Sequence, residues 1–125
     1  MPLILSRELA ANLSTPMVLI DGAGMFAFCN EAAELMLGRS FGDMGTLSAS
    51  ELGSILDFRG LDGEPLRRRD TPPGRAFLQR EPAHQRLLVT AFNGMQREVE
   101  ATAYPLFGRD QDMHGVLVVF WEAGS

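Results

Sequence analysis

The feature that most limits what this 125-residue chain can fold into is a turn. Asn93-Gly94 stands between two strand-prone segments, Gln85 to Phe92 and Met95 to Leu106. Both turn residues tolerate positive φ, so the spacing predicts a two-residue β-hairpin. In the second arm Val99, Ala101 and Ala103 alternate with Glu98, Glu100, Thr102 and Tyr104, which turns one side of the strand inward. After a loop at Gly108 to Asp112, the run from Gly115 to Trp121 reads Val-Leu-Val-Val-Phe-Trp without alternation. A strand of that kind is expected at the centre of a sheet, covered on both faces. The C-terminal third is therefore an antiparallel three-strand meander.

The remainder supplies a second hairpin and a group of short helices. Met17 to Ile20 and Met25 to Cys29 are apolar strands joined by Asp21-Gly22-Ala23-Gly24. Asn30 is placed as the N-cap of a helix over Glu31 to Leu37, with Gly38 as its left-handed stop. Ser48 and Glu51 form an S-x-x-E capping box, with Leu47 and Leu52 as a hydrophobic staple, for a helix ending near Leu56. Residues 57–70 read as an irregular connection with a turn at Asp62-Gly63. Asp70 or Thr71 caps a third helix with Pro72 in its first turn and Ala76, Phe77 and Leu78 in its body. At the N-terminus Leu5, Leu9 and Leu13 recur at helical spacing before Ser14-Thr15-Pro16, which predicts an amphipathic helix ended by proline. Strand pairs separated by clustered helices give an α+β domain with helices on one face of an antiparallel sheet. Residues 1–13 form the N-terminal helix, residues 14–122 the domain proper and residues 123–125 a tail. The sheet's other face needs a cover, which the N-terminal helix provides from the same chain or from a second subunit.

Composition narrows the function. The formal net charge is −5, so the surface repels phosphate backbones and argues against nucleic-acid binding. The one basic run, Arg67-Arg68-Arg69, is flanked by Asp62, Glu64 and Asp70 and reads as a solvated loop. The single cysteine, Cys29, excludes an internal disulfide and fits a reducing compartment. No apolar run approaches the roughly 20 residues of a membrane span, and the N-terminus lacks a signal-peptide pattern. The expectation is a cytoplasmic protein with no membrane partner.

Taken in order, Ile20-Asp21-x-x-Gly24, Asn30-Glu31-Ala32-Ala33 through Leu37-Gly38, Asp62-Gly63-Glu64-Pro65-Leu66, Pro72 through Phe77, Ala103-Tyr104-Pro105-Leu106 and Gly115 to Val119 resemble the PAS family. The resemblance extends over roughly residues 14–121. It implies a five-stranded antiparallel sheet with helices on one side, a ligand cavity between them and dimerisation through an N-terminal helix. It also implies a sensory role, with signals relayed to an effector such as a kinase, cyclase, phosphatase or DNA-binding domain. Two motifs depart from the family's pattern. The usual glycine near the end of the third helix is replaced around Gln79-Arg80-Glu81, and the acidic-x-threonine pattern after the last strand is absent.

No catalytic constellation emerges. Flavin photoreceptors of this family carry a reactive cysteine in an Asn-Cys-Arg-type motif, whereas Cys29 is followed by Asn30-Glu31 and reads as a small buried hydrophobe. His84, just past the third helix, is the candidate haem ligand, set against the simpler reading of a loop histidine; His114 ranks below it. No metal-ligand cluster, Gly-x-Ser-x-Gly motif or phosphate loop is present, so the chain is read as a non-enzyme. The candidate site is apolar: Val99, Ala101, Ala103 and Val118 on the sheet face Leu35, Met36, Leu37 and Phe77 on the helices. Small side chains opposite large flexible ones leave room for a lipid-like or aromatic ligand, favoured over haem or flavin. The competing reading is that Met and Phe fill the gap as core. The expected partners are a second copy, paired through Leu5, Leu9 and Leu13, and an effector. The alternative is a ligand-free interaction module, and beyond it a haem sensor or a small enzyme.

Overall fold

The computed structural model describes residues 15–38, 42 and 48–123. The expected N-terminal helix and the Leu47–Leu52 staple lie outside the described side chains. The described chain runs β1 (Met17–Asp21), β2 (Phe26–Cys29), α1 (Glu31–Leu37), α2 (Ala49–Leu56), a 3-10 turn (Arg68–Asp70), α3 (Pro72–Gln79), β3 (Ala83–Thr90), β4 (Gln96–Phe107) and β5 (Met113–Glu122). The strands form one five-stranded sheet in the order β2-β1-β5-β4-β3, antiparallel throughout. This is the α+β arrangement the sequence implies, with the last strand at its centre.

Local chemistry explains the helix ends. Asn30 Oδ1 accepts from Ala33 N at 3.0 Å, and Gly38 takes φ 84° while its N–H returns to Glu34 O at 2.8 Å. The Ser48–Glu51 box closes in both directions at 3.1 Å. Thr71 caps α3 by accepting from Gly74 N at 3.3 Å, and Pro72 follows as anticipated. That helix ends on Arg80 in the left-handed region, φ 59°, the place where the family's glycine is missing. The Arg80 guanidinium lies 4.8 Å from the centre of the Phe107 ring, a contact that offsets part of the backbone cost.

Three details differ from the sequence reading. The Asn93-Gly94 turn is a wider loop. Ala91 N donates to Met95 O at 2.9 Å, Gly94 N to Ala91 O at 2.9 Å, and Gly94, φ 85°, is the loop's positive-φ residue. Phe92 N also donates to Leu37 O at 2.8 Å, which ties the loop to α1 and sets the strand ends two residues earlier than expected on β3. β5 alternates after all: Val116, Val118 and Phe120 are buried, whereas Trp121 is exposed and Leu117 and Val119 are partly so. Residues 57–70 are not wholly irregular. Arg59 exchanges backbone bonds with Leu88 at 2.9 and 2.8 Å, so this segment covers the free edge of β3.

The core lies between the sheet's inner face and the helices. Val18, Ile20, Phe26 and Cys29 from the first hairpin meet Ala33, Leu37, Leu56 and Ala76 from the helices, with Leu87, Val89, Val99, Ala101, Ala103, Val116, Val118 and Phe120 from the meander. A register shift between Leu19 and Ile20 inserts one extra residue in β2, so that Phe26 and Cys29, three apart, both point inward.

Candidate functional site

A partly open cavity of about 930 Å³ lies between the sheet and part of the helical layer. Its floor is Val18 and Ile20 on β1, Leu87 and Val89 on β3, Val99 and Ala101 on β4, and Val118 and Phe120 on β5. Its roof is Met36 and Leu37 of α1, Leu56 of α2, Phe58 after it, and Pro73, Phe77 and Leu78 of α3. The β1–β2 turn, Gly22 to Gly24, forms part of the rim. The wall is mostly apolar and the volume suits a small organic molecule.

Six of the eight sequence-derived pocket residues line this space: Met36, Leu37, Phe77, Val99, Ala101 and Val118. Two do not. Leu35 is 76% exposed, because the inward stripe of α1 is Ala33 and Leu37, and at about 100° per residue Leu35 falls on the far side of both. Ala103 points inward but is fully buried against the core, outside the cavity lining. His84 is not in a loop but on β3, and it points to the opposite face of the sheet. Its Nδ1 lies 2.6 Å from Thr102 Oγ1, its Nε2 3.2 Å from Glu100 Oε1, and its ring 6.0 Å from that of Trp121. The sheet therefore stands between His84 and the cavity, which removes it as a ligand to anything bound there. Leu5, Leu9 and Leu13 lie outside the described residues.

The polar groups of the wall are few. The Thr71 hydroxyl donates to Arg68 O at 2.7 Å and accepts from Gly74 N, so it serves the helix cap. The charged residues among the described lining are Arg68, Arg69 and Arg97, all of one sign. Arg68 and Arg69 are exposed, in keeping with the solvated-loop reading, yet they border the cavity. Arg97 was not singled out from the sequence, although the signal was there: it shares the alternation phase of Val99, Ala101 and Ala103. Cys29 belongs to the core beneath, where burial, with the nearby Glu34 carboxylate, pushes its thiol up to about 12. Such a thiol stays protonated and unreactive at neutral pH. Among the described residues no three of His, Cys, Asp and Glu gather as a metal site. Among the described lining residues the side-chain hydroxyls are those of Ser54 and Thr71, and none is Asp, Glu, His or Cys.

The outer face of the sheet has a different character. Leu117, Val119, Tyr104 and Trp121 form its apolar part, and Arg86 reaches Glu98 at 3.5 Å and Glu100 at 3.6 Å on its charged part. Tyr104 and Trp121 are both exposed.

Comparison with known proteins agrees with this geometry. A family profile described as PAS fold matches residues 11–125. No curated protein matches the chain at a significant level. Among solved structures, the PAS domain of BvgS from Bordetella pertussis has a TM-score of 0.68 at 19% identity, over 98% of this chain and 86% of that one. The PAS domain of the fruit-fly ELK potassium channel reaches 0.76 at 10% identity over the whole of both chains. The light-state dimer of the fungal blue-light photoreceptor Vivid gives 0.70 at 13% identity, over 98% of this chain and 95% of that one. At these identities the likeness concerns the fold.

Proposed function

This chain belongs to the PAS-fold family, and from that premise we propose that it is a signal-sensing module that holds a small apolar ligand between sheet and helices. The observation that carries this reading is the mostly apolar, partly open cavity of about 930 Å³, a volume within the range of small-molecule sites. Ligand binding selects one packing of the roof helices on the sheet, and the outer face passes that choice to a second copy or an effector. The exposed Tyr104 and Trp121 support an outer face that meets a partner. The pairing proposed is a homodimer through Leu5, Leu9 and Leu13, and one structural neighbour was solved as a dimer. Of the two hydroxyls in the described lining, that of Thr71 serves a helix cap and that of Ser54 has no His, Asp or Glu beside it in the lining, which favours a sensor over an enzyme. We place the protein in the cytoplasm; the free, buried Cys29 is compatible with that, and no described helix is long and apolar enough to cross a membrane.

The test is a native purification followed by an absorbance spectrum and mass spectrometry of a denatured extract. A released apolar molecule is the expected result. A visible band would replace this reading with a haem or flavin sensor. An empty extract, together with no thermal shift by apolar probes, would leave the ligand-free interaction module. For the pairing, Leu9→Glu is expected to halve the mass seen by light scattering. An unchanged mass counts against the helix as the contact.

A further inference from the structure

The exposed residues of the described cavity lining mark its open rim: Gly22 and Ala23 of the β1–β2 turn, Ser54 of α2, Arg68 and Arg69, and Leu78 of α3. Two of these six are charged, and both are arginines. Backbone contacts hold their turn against the mouth. Arg68 O accepts from the Thr71 hydroxyl at 2.7 Å and from Thr71 N at 3.3 Å. The same oxygen lies so close over the first turn of α3 that a Cβ on Gly74 would stand 1.9 Å from it, an approach that only glycine admits. Asp70, the carboxylate of this turn, is taken by Arg67, whose Nε lies 3.1 Å from Asp70 Oδ2. Arg67 is outside the lining, as are Asp57, Asp62 and Glu64, and Asp57 is paired with Arg59 at 2.9 Å. Among the described residues neither Arg68 nor Arg69 has an ion pair, so both rim charges stand unneutralised.

The contrast between interior and rim says what kind of molecule fits. Inside, the wall is mostly apolar; at the mouth, a ligand's polar end stays in water and meets two positive charges. In a chain of formal net charge −5 this is a local excess of the opposite sign. Water satisfies the hydrogen bonds of exposed guanidinium groups, so what the rim offers a ligand is charge. A neutral apolar molecule would make no use of it, and a cationic one would be repelled. We infer that the cavity's ligand is an anionic amphiphile, its alkyl or aryl body against the apolar wall and its carboxylate or phosphate head at the rim beside Arg68 and Arg69. This inference rests on the ligand-binding reading of the same cavity and gives that ligand a headgroup. Exposed ion pairs are weak singly and screened by salt, so the two arginines choose among headgroups while the apolar body supplies most of the affinity.

The test uses the full chain, stripped of hydrophobic molecules, and four probes with the same alkyl body: decanoate, decyl phosphate, 1-decanol and decylamine. Each is titrated by calorimetry at about pH 7.5, where the acids are ionised and the amine charged. At about 20 mM salt at least one anion is expected to bind about fivefold or more tightly than decanol, with decylamine weakest. The tighter anion names the head. At about 0.5 M salt the ratio to decanol should fall below about twofold, because the rim charges are then screened. Replacing both rim residues, Arg68→Gln with Arg69→Gln, is expected to erase the preference while decanol binding persists, and Arg68→Glu with Arg69→Glu to turn it toward decylamine. Arg109→Gln removes the same kind of exposed charge outside the lining and should leave the preference in place. Wild-type affinities for both anions within about twofold of decanol at low salt overturn the headgroup assignment but leave the apolar-sensor reading intact. A preference that survives in the double glutamine variant, or that Arg109→Gln removes equally, also overturns it. No binding of any probe overturns both readings. If the double variants do not fold, the wild-type headgroup series and its salt dependence decide.

Discussion

Asn30 is the residue whose replacement tests the architecture most directly. It is 2% exposed, and its side chain joins three separate backbone groups. Oδ1 accepts from Ala33 N at 3.0 Å and from Met17 N at 3.0 Å, and Nδ2 donates to Thr15 O at 2.7 Å. One amide therefore caps α1 and fastens the start of β1 to it. Asn30→Ala removes the cap, worth about 1 kcal/mol. It also strands two part-buried backbone groups, at about 1 kcal/mol each once partial access of water is allowed for. The expected loss is about 3 kcal/mol, or roughly a 10 °C fall in Tm for a domain of this size. Asn30→Ser separates the contributions: its hydroxyl can still cap Ala33 but is too short to bridge to Met17 and Thr15. About 1 kcal/mol should return, leaving a deficit of about 2 kcal/mol that belongs to the bridge. Urea denaturation followed by circular dichroism, with a constant m-value, reads both differences. An alanine variant within about 1 kcal/mol of wild type, or a serine variant equal to wild type, would refute the bridge as a stabilising link.

Two further predictions concern the core. Ala101 borders the cavity and Ala103, two residues along the same face, is fully packed. Ala101→Leu should keep its thermal stability and lose ligand from the denatured extract, whereas Ala103→Leu should cost about 1–3 kcal/mol by overpacking; equal penalties at both sites would mean that no usable space exists above Ala101. Cys29, with its thiol pushed up to about 12 from 9.0, should resist aromatic disulfide reagents at neutral pH until urea unfolds the chain. Because its folded value is the raised one, its contribution to stability is full below about pH 9 and is lost as pH climbs toward about 12. Rapid labelling of folded protein would contradict its burial.

Much of the fold was legible because short-range chemistry specifies it. Asn30, Ser48 with Glu51, and Thr71 with Pro72 each announce a helix start, and each makes the expected bond. The Val99-Ala101-Ala103 alternation gave the inner face, and with it Val99 and Ala101 of the cavity floor. What was missed depends on contacts distant in sequence. The loop at Asn93-Gly94 widened because Phe92 bonds to α1, a partner no local pattern reveals. Leu35 was misassigned because three successive apolar residues on a helix cannot all face one way, and only the packing of Ala33 picks the side. His84 was placed in a loop because Pro82 masked a strand that begins at Ala83. Arg97 was visible in phase, but a charged residue at an inward position is easily read as a strand end.

The order β2-β1-β5-β4-β3 makes the first and last strands neighbours. Met17 lies opposite Val119, and Phe120 N donates to Pro16 O at 3.1 Å, so the backbone arrives and departs at one end of the central pair. Polypeptide joined at either side would leave from almost the same point, gripped by two strands that share hydrogen bonds.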